Sequence, residues 1–179
     1  FGLEQIYQLQ IEGQWSTKED VWNIPSPFIK AHPFGYFGGG FPTTATVDRI
    51  DYSCDTATAS PKGSLSVPRW DSAATGNASF GYFGGGNTPF NNLKSTVDRI
   101  DYSNDTPNAS PKGPLSSPRS RLAATGNTDF GYFGGGGFPS SLATVDRIDY
   151  SCDTATASPK GSLSSARHNL AATGNSNFG

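Results

Sequence analysis

TVDRIDYS at residues 46–53, 96–103 and 144–151, preceded each time by FGYFGGG at 34–40, 80–86 and 130–136, decides how this chain is read. A third string, AATGN, starts at Ala73, Ala123 and Ala171. Strings that return in a constant order mean an array of near-identical units, about 48 residues each, across 33–179, with repeats at about 33–79, 80–129 and 130–177. Spacing separates the stiff part of each unit from the soft part. Val47 to Gly76, Val97 to Gly126 and Val145 to Gly174 each span 29 residues, whereas Gly40 to Val47, Gly86 to Val97 and Gly136 to Val145 span 7, 11 and 9. Strands in register do not tolerate insertions and solvent-facing loops do, so the length variation marks one loop per unit.

The stiff part contains four short segments bounded by turn residues, the spacing expected of strands. Leu122 to Thr125 is a small apolar run, and Gly126-Asn127 suits the positive φ of a tight hairpin whose second strand is Phe130 to Phe133. Period-two geometry sends Tyr132 and Phe133 to opposite faces, and three glycines then let the backbone turn sharply. Thr96 to Tyr102 places Val97, Arg99 and Asp101 on one face and Asp98, Ile100 and Tyr102 on the other, neither purely apolar. Asn104-Asp105-Thr106 reads as an Asx-type turn leading to a fourth strand, Ala109 to Lys112. Four-stranded units at this period predict an all-β fold of β-propeller blades. Three blades fall short of the usual minimum of about four, so further repeats or other chains are expected to complete the ring.

Composition agrees. With 34% hydrophobic residues, 22 Gly and 13 Pro, long helices are excluded. Charged residues make up 16% and the net charge is -2, which leaves no electrostatic footprint for nucleic acid. No apolar run is long enough to insert in a membrane, and no signal-peptide pattern opens the chain. The chain starts at Phe1 and stops at Phe178-Gly179, the opening dipeptide of another copy, and so reads as processed or incomplete. Residues 1–32 share nothing with the repeat. Glu4 to Ile11 alternates like a half-buried strand, and Trp15, Trp22 and Phe28 add apolar surface, as expected of a cap over the array or an adaptor to a neighbouring subunit.

Candidate chemistry is sparse. Each unit carries three aspartates: Asp48, Asp51 and Asp55, then Asp98, Asp101 and Asp105, then Asp146, Asp149 and Asp153. Their spacing does not reproduce a calcium loop, and Arg49, Arg99 and Arg147 beside them predict cross-strand ion pairs and turn caps instead. GYFGGG lacks the Lys-Ser/Thr ending and the helix of a phosphate loop. His32 and His168 sit in no ligand-like cluster, and no serine lies in a nucleophile elbow. No catalytic residue, metal or cofactor is therefore expected, and the chain reads as a non-enzyme. Cys54 and Cys152 occupy one repeat position, filled by Asn104 in the middle copy, and should be free thiols. Lys62, Lys112 and Lys160 with Arg69, Arg119 and Arg167 recur in register, predicting rings of displayed positive charge that serve solubility and pairing with the aspartates. Phe41, Phe90, Asn91, Asn92 and Phe138, in the variable loops 41–46, 87–95 and 137–143, are the candidate ligand-facing residues.

The order aromatic-Gly-Gly, variable loop, TVDRIDYSND, then Pro and Arg as in PLSSPR, resembles a kelch repeat, although TATAS or TPNAS stands where kelch units carry a Trp. The resemblance implies kelch-like propeller blades. The wording of residues 34–179 is also similar to repeat arrays in structural proteins of marine bacteriophages, those of cyanobacteria above all. That likeness implies a virion protein of a tail or surface appendage, partnered by its own copies or other virion proteins. The alternative it leaves open is a module whose loops recognise a host-surface glycan or protein.

Overall fold

FGYFG alternates hydrogen with aromatic rings, so a strand of this sequence offers its neighbours notches and knobs on both faces. The computed structural model describes residues 33–174, and the expected N-terminal cap or adaptor at 1–32 lies outside them. The first sheet is β1 (Phe34–Gly38), β2 (Val47–Asp51) and β3 (Ser60–Lys62), antiparallel in chain order. The second sheet begins with β4 (Ala73–Gly76) and β5 (Phe80–Gly84). A small hairpin of β6 (Asn87–Thr88) and β7 (Asn92–Leu93) occupies the longest variable loop, and β8 (Val97–Asp101) and β9 (Ser110–Lys112) complete the sheet as β4-β5-β8-β9. The third sheet is β10 (Ala123–Gly126), β11 (Phe130–Gly134), β12 (Val145–Asp149) and β13 (Ser158–Pro159). The described residues are all-β, with four antiparallel sheets and no α-helix.

The sheets straddle the sequence repeats. AATG closes one copy of the sequence but pairs with FGYFG of the next, Ala73 opposite Gly84 and Gly76 opposite Gly81, so each sheet draws its first strand from the preceding copy. Among the described residues the first sheet accordingly has three strands where four were expected. The hairpin turn also differs from its expected form. Neither Gly126 nor Asn127 takes positive φ. Instead Asn127 Oδ1 accepts from the amides of Asp129 and Phe130 at 2.9 Å each, an Asx turn that satisfies the loop without a left-handed residue. The glycine is required for space, since a Cβ at Gly126 would lie 2.6 Å from Thr75 Oγ1 and 2.9 Å from Tyr150 Oη.

Both faces of the second sheet are covered, which explains why neither reads as apolar. One face carries Tyr82, Gly84 and Arg99; the other carries Phe83, Asp98 and Tyr102. At the joint with the first sheet, the Phe83 ring lies over Gly38, Tyr36 stacks on Tyr102 at 4.9 Å, and Tyr36 Oη donates to Asp105 at 2.9 Å. At the joint with the third sheet, Phe133 lies over Gly84, Tyr82 stacks on Tyr150 at 4.8 Å, and Tyr82 Oη donates to Asp153 at 3.0 Å. Asp105 also takes Arg49 at 2.8 Å and Lys62 at 3.6 Å; Asp153 takes Arg99 at 2.7 Å and Lys112 at 3.5 Å. The ion pairs run between sheets, correcting the cross-strand expectation, because the charges of adjacent strands face different neighbours.

The rings of displayed arginine are likewise absent at the joints. Arg69 and Asp98 are each 0% exposed and meet at 2.9 Å, and Arg119 meets Asp146 at 2.8 Å under the same burial. Each guanidinium also donates to the carbonyl of the overlying phenylalanine, Arg69 to Phe83 and Arg119 to Phe133, at 3.1 Å. The carboxylates collect the amides of Ser66 at 3.0 Å and Ser116 at 2.8 Å. Burial draws the Arg119 pKa below its ordinary value, against the pull of Asp146. Asp51, Asp101 and Asp149 act as turn caps: each accepts from a serine amide two residues on, at 2.8, 2.9 and 2.9 Å, and those serines hold their carboxyls below the usual range. The two cysteines are free and exposed, as their repeat positions predict.

Two outcomes follow from these joints. Asp98→Ala leaves Arg69 buried without its counter-charge and should cost roughly 3–5 kcal/mol in urea unfolding, against under about 1 kcal/mol for removal of an exposed charge. Burial lifts the hydroxyls of Tyr36, Tyr102 and Tyr150 from 10.0 to about 12. Their contribution to stability is therefore complete below pH 10.0 and is lost as the pH rises to about 12, so tyrosinate absorbance and loss of β circular dichroism should climb together across that window.

Candidate functional site

Every β1-to-β2 type loop leaves its sheet at one end, and the segment that carries each Arg into the next AATG strand crosses that same end. Backbone bonds tie the two together: Gly40 N donates to Arg69 O at 2.9 Å, Gly86 N to Arg119 O at 2.9 Å, and Gly136 N to Arg167 O at 2.9 Å. Gly39 (φ 73), Gly85 (φ 68) and Gly135 (φ 65) make the turn possible, since a side chain there would be strained and would strike the same arginine's carbonyl.

The crossing segments read WDS at 70–72, SRL at 120–122 and HNL at 168–170, between an arginine and AATGN that are the same in every copy. Asp71 (φ 57), Arg121 (φ 58) and Asn169 (φ 54) occupy one left-handed position, uncommon for residues other than glycine. A linear set of bonds over-determines it: Arg121 N donates to Asp71 O at 2.8 Å and Asn169 N to Arg121 O at 2.9 Å. The backbone frame is thus constant while its side chains change from copy to copy.

Of the residues expected to face a ligand, Phe41 is 84% and Phe90 101% exposed, and Phe138 is less so at 38%. Phe41 meets the Trp70 ring edge-on at 5.9 Å, and Phe138 lies under the Arg121 guanidinium at 4.9 Å. Arg121 Nε donates in turn to Asp71 Oδ2 at 3.1 Å. Because Trp70 and Asp71 are adjacent, Phe41, Trp70, Asp71, Arg121 and Phe138 form one connected group. Phe90 and Asn91 sit at the tip of the β6-β7 hairpin, both with positive φ and both exposed. Asn92 differs in role. Its carbonyl accepts from Thr88 Oγ1 at 3.1 Å and closes the hairpin, while its side chain stays exposed.

The sequence reading missed Trp70, Asp71, Arg121 and Asn169, because it followed variation in length. The signal was present as variation in identity inside a frame of fixed length. His168 belongs to the same end: its Nδ1 lies 2.8 Å from Ser141 Oγ. Among the described residues no carboxylate hydrogen-bonds this imidazole, so the pair lacks the third group that would orient a general base. Among them also, no group of three His, Cys, Asp or Glu side chains could hold a metal ion. At the opposite end the turns keep their length but change residues, Ala78-Ser79 against Thr128-Asp129, beside a cleft of about 420 Å³ lined by Gly76, Asn77, Gly126, Asn127 and Thr173 among others.

No family model and no curated protein matches the sequence. Among solved structures the chain is similar to one titled "Structure of YjhT", at 16% identity and a TM-score of 0.61 over 73% of this chain. The match spans 42% of that structure, less than half its length. At this identity the likeness concerns the fold alone.

The Arg121 contacts are half exposed and sit on the frame without bracing it. Arg121→Ala should shift the urea midpoint by an amount worth less than about 1 kcal/mol. A loss of several kcal/mol would mean that this end is structural.

Proposed function

We propose that this chain is a non-enzymatic recognition scaffold: its sheets are kelch-like propeller blades, and their variable end binds a glycan or protein on a host surface. One observation carries the reading. Side chains and loop lengths both differ between copies at one end, whereas both sheet faces repeat nearly unchanged and the opposite end keeps turns of constant length. A frame held constant by buried ion pairs can vary its end at little cost to folding, which is how binding residues are placed on rigid scaffolds. The end is suited to sugars or to a shallow protein surface. Phe41, Trp70 and Phe90 offer apolar ring area, while Asp71, Arg121 and Asn169 offer charged and amide hydrogen-bonding groups around it. The similarity in wording of residues 34–179 to bacteriophage repeat arrays supports a virion setting, in a tail or surface appendage. A purely structural part in such a particle is the second reading, favoured by that same similarity.

Binding to arrayed host-surface glycans and to host envelope proteins separates the two. On the recognition reading the full chain binds a defined subset, and Trp70→Ala and Phe90→Ala each weaken that binding at least about tenfold with unchanged unfolding midpoints. Absence of binding to every surface component would leave the structural reading standing.

A further inference from the structure

We infer that Phe41, Trp70, Asp71, Arg121 and Phe138 together form a subsite for one uncharged hexopyranose residue, so that the surface component recognised is a neutral glycan. This subsite rests on the recognition reading above and narrows it to one class of ligand.

Arg121 Nε donates to Asp71 Oδ2 at 3.1 Å, and both side chains are 33% exposed, so they face solvent as a charge-compensated couple. Among the described residues Asp71 Oδ1 has no donor, and the Arg121 Nη1 and Nη2 hydrogens have no acceptor. A carboxylated ligand that reached the guanidinium would also meet the aspartate, and an amine that reached the aspartate would meet the guanidinium. A hydroxyl is donor and acceptor at once. Two neighbouring hydroxyls therefore answer the couple without net charge, one donating to Asp71 Oδ1 and the other accepting from an Arg121 Nη. Hydrogen bonds to ionised groups are roughly twice as strong as those between neutral ones, so two of them suffice to orient a small ligand.

The rings supply the apolar side. Phe41 and Trp70 meet edge-on, 5.9 Å between centroids with planes at 90°, and form a corner carried by the residue next to Asp71. The ring hydrogens of a pyranose are slightly positive and pack well against the negative face of an aromatic ring. Phe138 lies under the Arg121 guanidinium at 4.9 Å and holds its plane.

The backbone fixes this geometry before a ligand arrives. Trp70 exchanges hydrogen bonds with Asn87 at 3.1 and 2.8 Å, and Arg121 N donates to Asp71 O at 2.8 Å. Asp71 and Arg121 are both held in the left-handed region, at φ 57 and 58. They stand one hydrogen-bonded backbone spacing apart, about 4.8 Å, comparable to the width of one sugar ring. Little ordering is left for binding to supply, which suits a ligand that offers hydroxyls and one apolar face.

Oligosaccharide arrays built from glucose, galactose or mannose, beside arrays containing glucuronate, test the subsite with the full chain. Binding to a neutral set is expected, with an affinity nearly unchanged between about 50 mM and 500 mM salt, because no net charge is neutralised. Asp71→Asn keeps a residue that tolerates left-handed backbone but leaves Arg121 uncompensated. It should weaken neutral binding at least about tenfold and admit glucuronate oligosaccharides in a salt-sensitive way, with the unfolding midpoint unchanged. Arg121→Gln should weaken neutral binding to a similar degree. Wild-type binding confined to acidic glycans, or to a host envelope protein and lost in Trp70→Ala, would overturn the neutral subsite and leave the recognition reading standing. Neutral-glycan binding that neither the Asp71 nor the Arg121 variant alters would also overturn it, by placing the sugar elsewhere. Absence of binding to every glycan and every protein would remove the recognition reading and the subsite with it.

Discussion

A sheet covered on both faces has no water in which to leave a charge, and this constraint organises the whole array. Arg69 and Asp98 meet where neither touches solvent, and Arg119 and Asp146 repeat the arrangement one sheet later. Such a pair adds little net stability, because desolvating two ions offsets most of their attraction. Its force lies in the penalty for misplacement. A sheet slipped by one residue along its neighbour would strand both charges, along with the Phe83 ring that needs the notch at Gly38.

Variation is confined by the same constraint. Within a joint every side chain is matched by a residue of the next unit, so a change on one side requires a change on the other. Asp105 alone answers to Tyr36, Arg49 and Lys62. The strand-connecting end carries no such obligation beyond its backbone bonds, and there the copies differ freely: tryptophan and aspartate in one, serine and arginine in the next, histidine and asparagine in the third. Matched packing and free variation are thus assigned to different surfaces of one unit, with the left-handed residues Asp71, Arg121 and Asn169 on the border between them.

Much of the fold was legible in the residues themselves. Constant spacing located the stiff strands, the order of the strings supplied the meander, and alternation in VDRID correctly separated Asp98 from Arg99. The forward pairing of AATG with the FGYFG of the next copy was legible too, as the hairpin from Leu122–Thr125 to Phe130–Phe133. What differed was its turn, closed by bonds to Asn127 Oδ1 and not by positive φ at Gly126-Asn127. Candidate site residues were legible only where they changed loop length. Phe41, Phe90 and Phe138 were found in that way, while Trp70 and Arg121 were missed inside a segment whose length never changes.

By itself the sequence determined the period, the strands and the identity of the aspartates and arginines that the joints use, since these are local and recur. Only the tertiary structure decided which charges meet. Asp98 stands next to Arg99 in the chain, but their side chains point to opposite faces, so Asp98 finds Arg69 from the preceding unit and Arg99 finds Asp153 from the following one. Partnership across a joint depends on how sheets stack, and neighbours in sequence carry no record of it.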